Sequence, residues 1–173
     1  MLNVMPLETE QQEQIISATE TRLYQASTEL AHSFEPIPVL FDLKGRAAGM
    51  YKVNKSQRMI RYNPYIFGRY FSENLSTTVP HEVAHYIVDV LYGLRKTQPH
   101  GKEWKSIMDL FNADASVTCN FDLKGLPTRH YQRFDYGCSC QTHELTRIRH
   151  NRVLKGARYY CRRCKQELIS KNG

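Results

Sequence analysis

The chain has 173 residues, 41% of them hydrophobic, and a formal net charge of +7. That length is enough for one ordinary core with a small satellite domain. No apolar run approaches the roughly 18 residues of a transmembrane helix. The N-terminal stretch MLNVMPLETEQQEQ also lacks the basic start and apolar middle of a signal peptide. We therefore expect a cytoplasmic protein that makes no membrane contact.

The charge is unevenly distributed along the chain. Residues 1–123 hold 12 Lys/Arg against 14 Asp/Glu, a net of −2, whereas residues 124–173 hold 12 Lys/Arg against 3 Asp/Glu, a net of +9. A basic segment of this kind is typical of a nucleic-acid contact, although a solvated surface is the plainer interpretation. We expect non-specific DNA contact through this segment.

The first half of the chain predicts a helix followed by short strands. Apolar residues recur at helical spacing over residues 8–34, and Pro36 ends the pattern. Three extended segments follow, PVLFDL, AGMYKV and RMIRYNP, separated by turn-forming residues. A second helical pattern runs from Ser72 to about Leu91 and stops at Gly93. Pro80 either starts this helix or kinks it, and we favour a kinked helix that begins near Ser72.

A further helix is predicted around EWKSIMDLF, and Gly125 and Pro127 suggest a domain boundary. From Tyr131 onward, alternating apolar and polar residues predict short strands. The predicted class is therefore α+β, with one domain over residues 1–125 and a small basic domain over residues 126–173.

The stretch TTVPHEVAHYIVDV contains the first candidate site. On a helix, His81 and His85 project from one face and can hold one metal ion between their imidazoles. Glu82 lies beside them, where a carboxylate can act as a base on a zinc-activated water. Two solvated histidines on a surface helix are the alternative, but the neighbouring residues are apolar. A buried glutamate there would be costly without a partner, which a metal supplies.

A catalytic zinc takes three protein ligands and keeps one position open. The downstream candidates for the third ligand are His100, Glu103, His130 and the late cysteines. We favour His100, because PHGKEW lies at a loop-to-helix junction and Gly101 permits a close approach of backbone to a ligand.

HEVAH followed by PHGKEW resembles the SprT family of zinc metalloproteases, which includes the bacterial SprT proteins and the eukaryotic Spartan proteases. The resemblance covers most of the chain, including the cysteine-containing tail. It implies a zincin-like fold, His81, His85 and His100 as zinc ligands, and Glu82 as the general base. The Spartan relatives cleave proteins crosslinked to DNA, so the resemblance implies protein substrates that are associated with DNA.

The tail contains a second candidate site. Cys161 and Cys164 form a knuckle with a two-residue gap. Cys140 and His143 repeat that gap, and 17 residues separate His143 from Cys161. We therefore predict a structural zinc in a ribbon, held by Cys140, His143, Cys161 and Cys164, in preference to a set that uses Cys138. Cys119 stands apart and is expected to be a small core residue.

Between these knuckles, basic residues alternate with Ile, Val and Tyr. On a strand this alternation would give one cationic face that can lie along phosphates: Arg147, Arg149, Arg152, Lys155 and Arg158. Tyr131, Phe134 and Tyr136 either stack on exposed bases or form the ribbon's own core, and we favour the core.

The predicted function is zinc-dependent hydrolysis of peptide bonds, with two zinc ions per chain, one catalytic and one structural. We expect a monomer that acts on protein substrates, some of them associated with DNA. A non-enzymatic nucleic-acid-binding adaptor is the main alternative, and hydrolysis of a non-peptide bond is the third.

Overall fold

The computed structural model describes residues 5–116, 121–127 and 132–171. It is a mixed α+β structure with two small sheets. The chain divides into two compact units, Met1–Thr128 and Arg129–Gly173. No helix within the described residues is long and apolar enough to span a membrane.

The first unit begins with α1, Thr9–Glu29, which is shorter than the predicted helix over residues 8–34. The chain leaves the helix at Leu30, and Ala31 then adopts a left-handed backbone conformation with φ +47°. Proline is therefore not what ends α1. The buried face of α1 consists of Ile15, Thr19, Leu23 and Ala26.

The predicted extended segments form one three-stranded sheet with the order β1-β3-β2. Its strands are β1, Val39–Leu40, β2, Gly49–Asn54, and β3, Gln57–Tyr62. β2 and β3 form an antiparallel hairpin, whereas β1 runs parallel to β3. β2 is therefore an edge strand, and it packs against α3.

A short helix that the sequence reading missed, α2, Pro64–Arg69, follows β3. The sequence pattern predicts an extended segment through the end of RMIRYNP. The Asn63 side chain instead accepts hydrogen bonds from the backbone N–H groups of Tyr65 and Ile66, at 3.1 and 3.3 Å. Asn at the N-cap with Pro at the first helical position is a recognisable start signal.

The central element of the first unit is α3, Phe71–Tyr92, with Pro80 inside it. This confirms the prediction of one long helix, and Gly93 ends it as expected, with φ +82°. Half of its 22 residues are buried, because α1, α4 and β2 all pack against it. α4, Lys102–Leu110, lies close to the predicted position and buries Trp104, Ile107 and Met108.

The second unit contains a three-stranded antiparallel sheet with the order β5-β4-β6. Its elements are β4, Arg133–Gly137, β5, Thr142–Thr146, α5, Arg147–Leu154, and β6, Ile169–Ser170. Within residues 132–171, the core contains four buried residues, Tyr136, Leu145, Cys161 and Leu168. Tyr136 therefore belongs to the core, as the favoured interpretation of the aromatic residues predicts.

The prediction of a basic strand between the knuckles was wrong, because residues 147–154 form helix α5. The Thr146 hydroxyl accepts a hydrogen bond from the Arg149 backbone N–H, at 3.5 Å, and caps the helix. Arg, Asn and Leu all occur in helices, so a short pattern of basic and apolar residues did not distinguish a strand from a helix here. Cys119, His130 and Tyr131 lie outside the described residues.

Candidate metal centres

The structure brings together the three histidines predicted for the first site. His81 and His85 lie one turn apart on α3, and His100 precedes α4. Their Nε2 atoms form a nearly equilateral triangle: His81 to His85 is 3.2 Å, His85 to His100 is 3.1 Å, and His81 to His100 is 3.0 Å. Tetrahedral zinc with bonds of about 2.0–2.1 Å separates its nitrogen ligands by about 3.3 Å. The three nitrogens therefore fit a zinc ion.

His100 reaches this triangle because of its backbone conformation. Its φ is +56°, in the left-handed region, where histidine is among the more tolerated residues. The Gly101 N–H donates to the Gln98 carbonyl, at 2.9 Å, and closes the turn before α4. Glu103 is the other nearby candidate for the third ligand. Among the described residues, the group of candidate ligand atoms contains the three histidines and not Glu103.

Burial favours the neutral, metal-binding form of these imidazoles. It lowers the pKa of His81 to about 4, with a smaller effect from the charge of His100. It lowers the pKa of His85 to about 3, helped by the charges of His81 and His100. Burial also lowers the pKa of His100. Because metal ligation needs unprotonated nitrogen, the site is prepared to bind at neutral pH.

Glu82 is buried beside the triangle, with only 6% of its surface exposed. Its Oε2 accepts a hydrogen bond from the Tyr51 backbone N–H on β2, at 2.6 Å. Burial raises the pKa of Glu82 to about 7, although the Tyr51 hydrogen bond opposes the shift. Glu82 and the three histidines line one pocket of about 350 Å³. A group with this pKa can both accept and release a proton near neutral pH.

The second candidate centre is a group of four thiols: Cys138, Cys140, Cys161 and Cys164. The Sγ atoms of Cys138 and Cys140 lie 3.4 Å apart, and those of Cys140 and Cys161 lie 3.6 Å apart. Tetrahedral zinc with Zn–S bonds of about 2.3 Å separates its sulfurs by about 3.8 Å. The four thiols therefore fit a closed structural site.

This group differs from the predicted ribbon ligands in one member. It contains Cys140, Cys161 and Cys164, but Cys138 takes the place that we assigned to His143. The His143 Nε2 lies 3.5 Å from the Cys138 Sγ, next to the group rather than inside it. The one-residue gap between Cys138 and Cys140 is accommodated because both thiols lie in the turn between β4 and β5.

Comparisons with known proteins identify the family. The SprT-like family model matches residues 19–131. The chain belongs to the SprT-like family. It is 35% identical to Protein SprT of Shewanella oneidensis over 159 residues, which cover 91% of this chain and 97% of the relative. It is 39% identical to Protein SprT of Vibrio parahaemolyticus over 136 residues, 77% of this chain and 78% of the relative. No solved structure gives a significant match.

The part of this SprT-like chain that the family model matches includes the three histidines and Glu82, and it ends before the four thiols. Protein SprT of Pasteurella multocida, 36% identical, aligns over 149 residues, 85% of this chain and 86% of the relative. The recognition of the SprT family from HEVAH and PHGKEW is confirmed.

Trp104 is a site residue that the sequence analysis missed. Its ring centroid lies 4.7 Å from those of His81 and His100 and 5.7 Å from that of His85. Its indole N–H donates to the His81 carbonyl, at 3.2 Å. The indole is therefore a shared packing surface for all three imidazoles. It is the only tryptophan of the chain and lies four residues after His100, which could have drawn attention to it.

Asp89 is the second missed residue. It lies one turn after His85, and its Oδ2 accepts hydrogen bonds from the Tyr51 hydroxyl and from Arg58 Nε, each at 2.7 Å. Its Oδ1 accepts from the Leu94 backbone N–H, at 3.1 Å. Asp89 thus fastens α3 to both strands of the hairpin. The spacing of His81, His85 and Asp89 at four-residue steps is the sequence signal for one helix face.

Proposed function

We propose that the protein is a zinc-dependent metalloprotease of zincin type. His81, His85 and His100 hold the catalytic zinc, and Glu82 is the general base. The observation that carries the proposal is the convergence of three Nε2 atoms within 3.0–3.2 Å, in a pocket that Glu82 also lines. Three protein ligands leave one position open, which is typical of catalytic rather than structural zinc.

Zinc bound there would acidify a water molecule and polarise the scissile carbonyl group. Glu82 takes a proton from the attacking water and later delivers it to the leaving amine. The Tyr51 N–H holds one oxygen of this carboxyl group, so the other oxygen carries the proton. The raised pKa of Glu82, about 7, suits both steps because the acid and the base forms are both populated at neutral pH.

The second zinc in this proposal is structural and is held by Cys138, Cys140, Cys161 and Cys164 in a ribbon. Four thiolates close the coordination shell, which leaves no position for substrate. Among the residues of this unit that the structure describes, the buried core has four members, one of which is Cys161. Metal binding would therefore supply a large share of the unit's folding free energy.

The proposed DNA contact lies on the exposed basic side chains of the second unit. Helix α5 carries Arg147, Arg149 and Arg152, all exposed, and no acidic residue. Phosphate contacts of this kind are independent of base sequence and weaken as salt rises. We propose that single-stranded or duplex DNA brings protein substrates to this intracellular, monomeric enzyme.

Cleavage of fluorescently labelled casein, with and without single-stranded DNA, tests the proposed activity. Glu82→Gln should keep the zinc content of the wild type and lose cleavage by at least about 100-fold, the usual contribution of a general base. Glu103→Gln is the control, because this nearby carboxylate is not in the histidine group, and its rate should stay close to that of the wild type.

Unchanged cleavage in Glu82→Gln would show that the base is assigned wrongly. A wild-type protein that holds two zinc ions and binds DNA, but cleaves no casein under any of these conditions, would favour the adaptor function instead.

A further inference from the structure

The edge strand β2 makes an unusually close approach to Glu82. A Cβ atom placed on Gly49 would lie 2.7 Å from three atoms: Glu82 Cγ, Glu82 Oε1 and Thr78 Cγ2. Real Cβ atoms essentially never make contacts this short. Any larger residue at position 49 would therefore clash with the Glu82 side chain in its present position, so this position requires glycine for steric reasons.

The same strand also holds Glu82 by a hydrogen bond. The Asn63 N–H donates to the Ala48 carbonyl, at 2.8 Å, which makes residues 48 and 63 a hydrogen-bonded pair. Because such pairs alternate along an antiparallel ladder, the main-chain groups of Gly49 and Tyr51 face away from β3. The Tyr51 N–H is thus free of the ladder, and it donates to Glu82 Oε2 at 2.6 Å.

We propose that β2 is a positioning device for the general base: Gly49 provides the space for the Glu82 side chain, and the Tyr51 N–H fixes the orientation of its carboxyl group. Glu82 is nearly fully buried, so few other rotamers are open to it. This inference rests on the proposed function for its consequence in catalysis. Its structural content, the coupling between residues 49 and 82, holds independently of any activity.

Gly49→Ala is the direct test. The new methyl group meets side-chain atoms of Glu82 and Thr78 and no backbone atom among its three nearest neighbours, so side chains shift and the fold should survive. The displaced carboxyl group loses the Tyr51 N–H and its alignment in the pocket. A misplacement of about 1 Å costs on the order of 100-fold in rate. We expect kcat for labelled casein to fall by about that factor, with KM and zinc content close to those of the wild type.

Gly68→Ala is the matched control. A Cβ atom at Gly68 would lie 2.7 Å from the Met5 carbonyl oxygen, an equally close contact made with backbone, and its nearest neighbours do not include Glu82. A loss of kcat in Gly49→Ala that Gly68→Ala does not share supports positioning. Equal losses in the two variants, or a wild-type kcat in Gly49→Ala, would overturn it.

A double-mutant cycle gives a readout that needs no activity. Gly49→Ala should lower the midpoint of thermal unfolding in the wild type and lower it much less in a Glu82→Ala background, because two of the three close contacts have gone. Gly68→Ala should lower it equally in both backgrounds. Equal effects of Gly49→Ala in both backgrounds would overturn the inference, whether or not the protein cleaves casein.

The two proposals therefore fail in different ways. Suppose that the wild type has no protease activity, but Gly49→Ala lowers the unfolding midpoint less in the Glu82→Ala background. This result would contradict the proposed function and still support the positioning of Glu82 by β2. If Gly49→Ala does not fold, the cycle becomes a rescue experiment. Recovery of folded, zinc-loaded protein in Gly49→Ala/Glu82→Ala would support the inference, and no recovery would contradict it.

Discussion

The two candidate metal centres are built on different kinds of backbone. The three histidines lie on the long helix α3 and in the turn before α4, and they pack against Trp104 in a core of 18 buried residues. The four cysteines lie in turns of the second unit. Within its described part, the core has four buried residues, one of them a cysteine of the group. The first centre has a scaffold that holds its ligands, whereas the second has little apolar core of its own.

This difference predicts different roles for metal in the two units. Helices packed in a sufficient core keep side chains in place without a ligand, which suits a site that must leave one coordination position free for substrate. A small unit with few buried residues depends on metal for its folding. Zinc would therefore take part in catalysis in the first unit and stabilise the fold of the second unit.

Metal removal should give the largest effect. Chelation with 1,10-phenanthroline should abolish amide hydrogen-exchange protection in β4 and β5 and leave α3 protected. Zinc binding contributes on the order of 10 kcal/mol to folding in small zinc domains, more than the core of the second unit can replace. Hydrogen exchange followed by mass spectrometry measures this. Equal loss of protection in α3 would mean that both units depend on metal.

Single ligand changes in the second unit should give the next largest effect. Cys138→Ser should remove one zinc per chain, because Cys138 belongs to the group of four thiols. His143→Gln should keep that zinc, because His143 lies beside the group. Elemental analysis after gel filtration separates the two outcomes. Loss of zinc in His143→Gln, with retention in Cys138→Ser, would restore the ligand set that the sequence spacing favoured.

The first unit should become less stable in acid when it is free of metal. Burial lowers the pKa of all three histidines below the ordinary value of 6.5, so below pH 6.5 the unfolded chain binds protons that the folded chain does not. Stability therefore falls as the pH drops from 6.5 toward 4. Glu82 acts in the opposite sense, because its raised pKa means that the folded chain holds a proton between pH 4.5 and 7 that the unfolded chain releases.

The destabilising effect of the three histidines is larger than the opposing effect of Glu82. We therefore expect the free energy of unfolding of the metal-free protein to fall by on the order of 1 kcal/mol for each pH unit. Urea unfolding followed by the fluorescence of Trp104, the single tryptophan, measures it in the first unit. Glu82→Gln removes the opposing contribution and should steepen the decline. A stability that is flat or that rises toward pH 5 would contradict the assigned burial of the histidines.

The smallest expected effect is that of Tyr51→Phe. The change removes one of three hydrogen bonds to Asp89 and keeps the backbone N–H that holds Glu82. We expect a loss of about 1 kcal/mol in the free energy of unfolding and a wild-type zinc content. Urea unfolding of the zinc-loaded protein measures the loss. A fall in zinc content would mean that the Asp89 network also holds the histidine site in place.

The first centre was largely predictable because two of its ligands are related by local geometry. A four-residue step on a helix places His81 and His85 together whatever the rest of the fold does. His100 was favoured from its loop and from the family resemblance, but its left-handed backbone and its contact with Trp104 depend on tertiary packing.

The second centre was harder to predict because four thiols that lie in separate turns meet only through tertiary structure. Gap lengths preferred His143, whereas the turn between β4 and β5 brings Cys138 to the group. The helix α5 was missed for a related reason. Eight residues that mix basic and apolar side chains can fit the two-residue period of a strand or the 3.6-residue period of a helix. The Thr146 cap favours the helix.

The most direct test of the two-centre account is the zinc content per chain of the wild type and of His100→Ala, with Glu103→Ala as the control. The account predicts two zinc ions in the wild type, two in Glu103→Ala, and one in His100→Ala, because the four-thiol centre keeps its metal. Two zinc ions in His100→Ala would remove this histidine as an essential ligand. One zinc ion in the wild type would contradict the claim that both groups of side chains are metal centres.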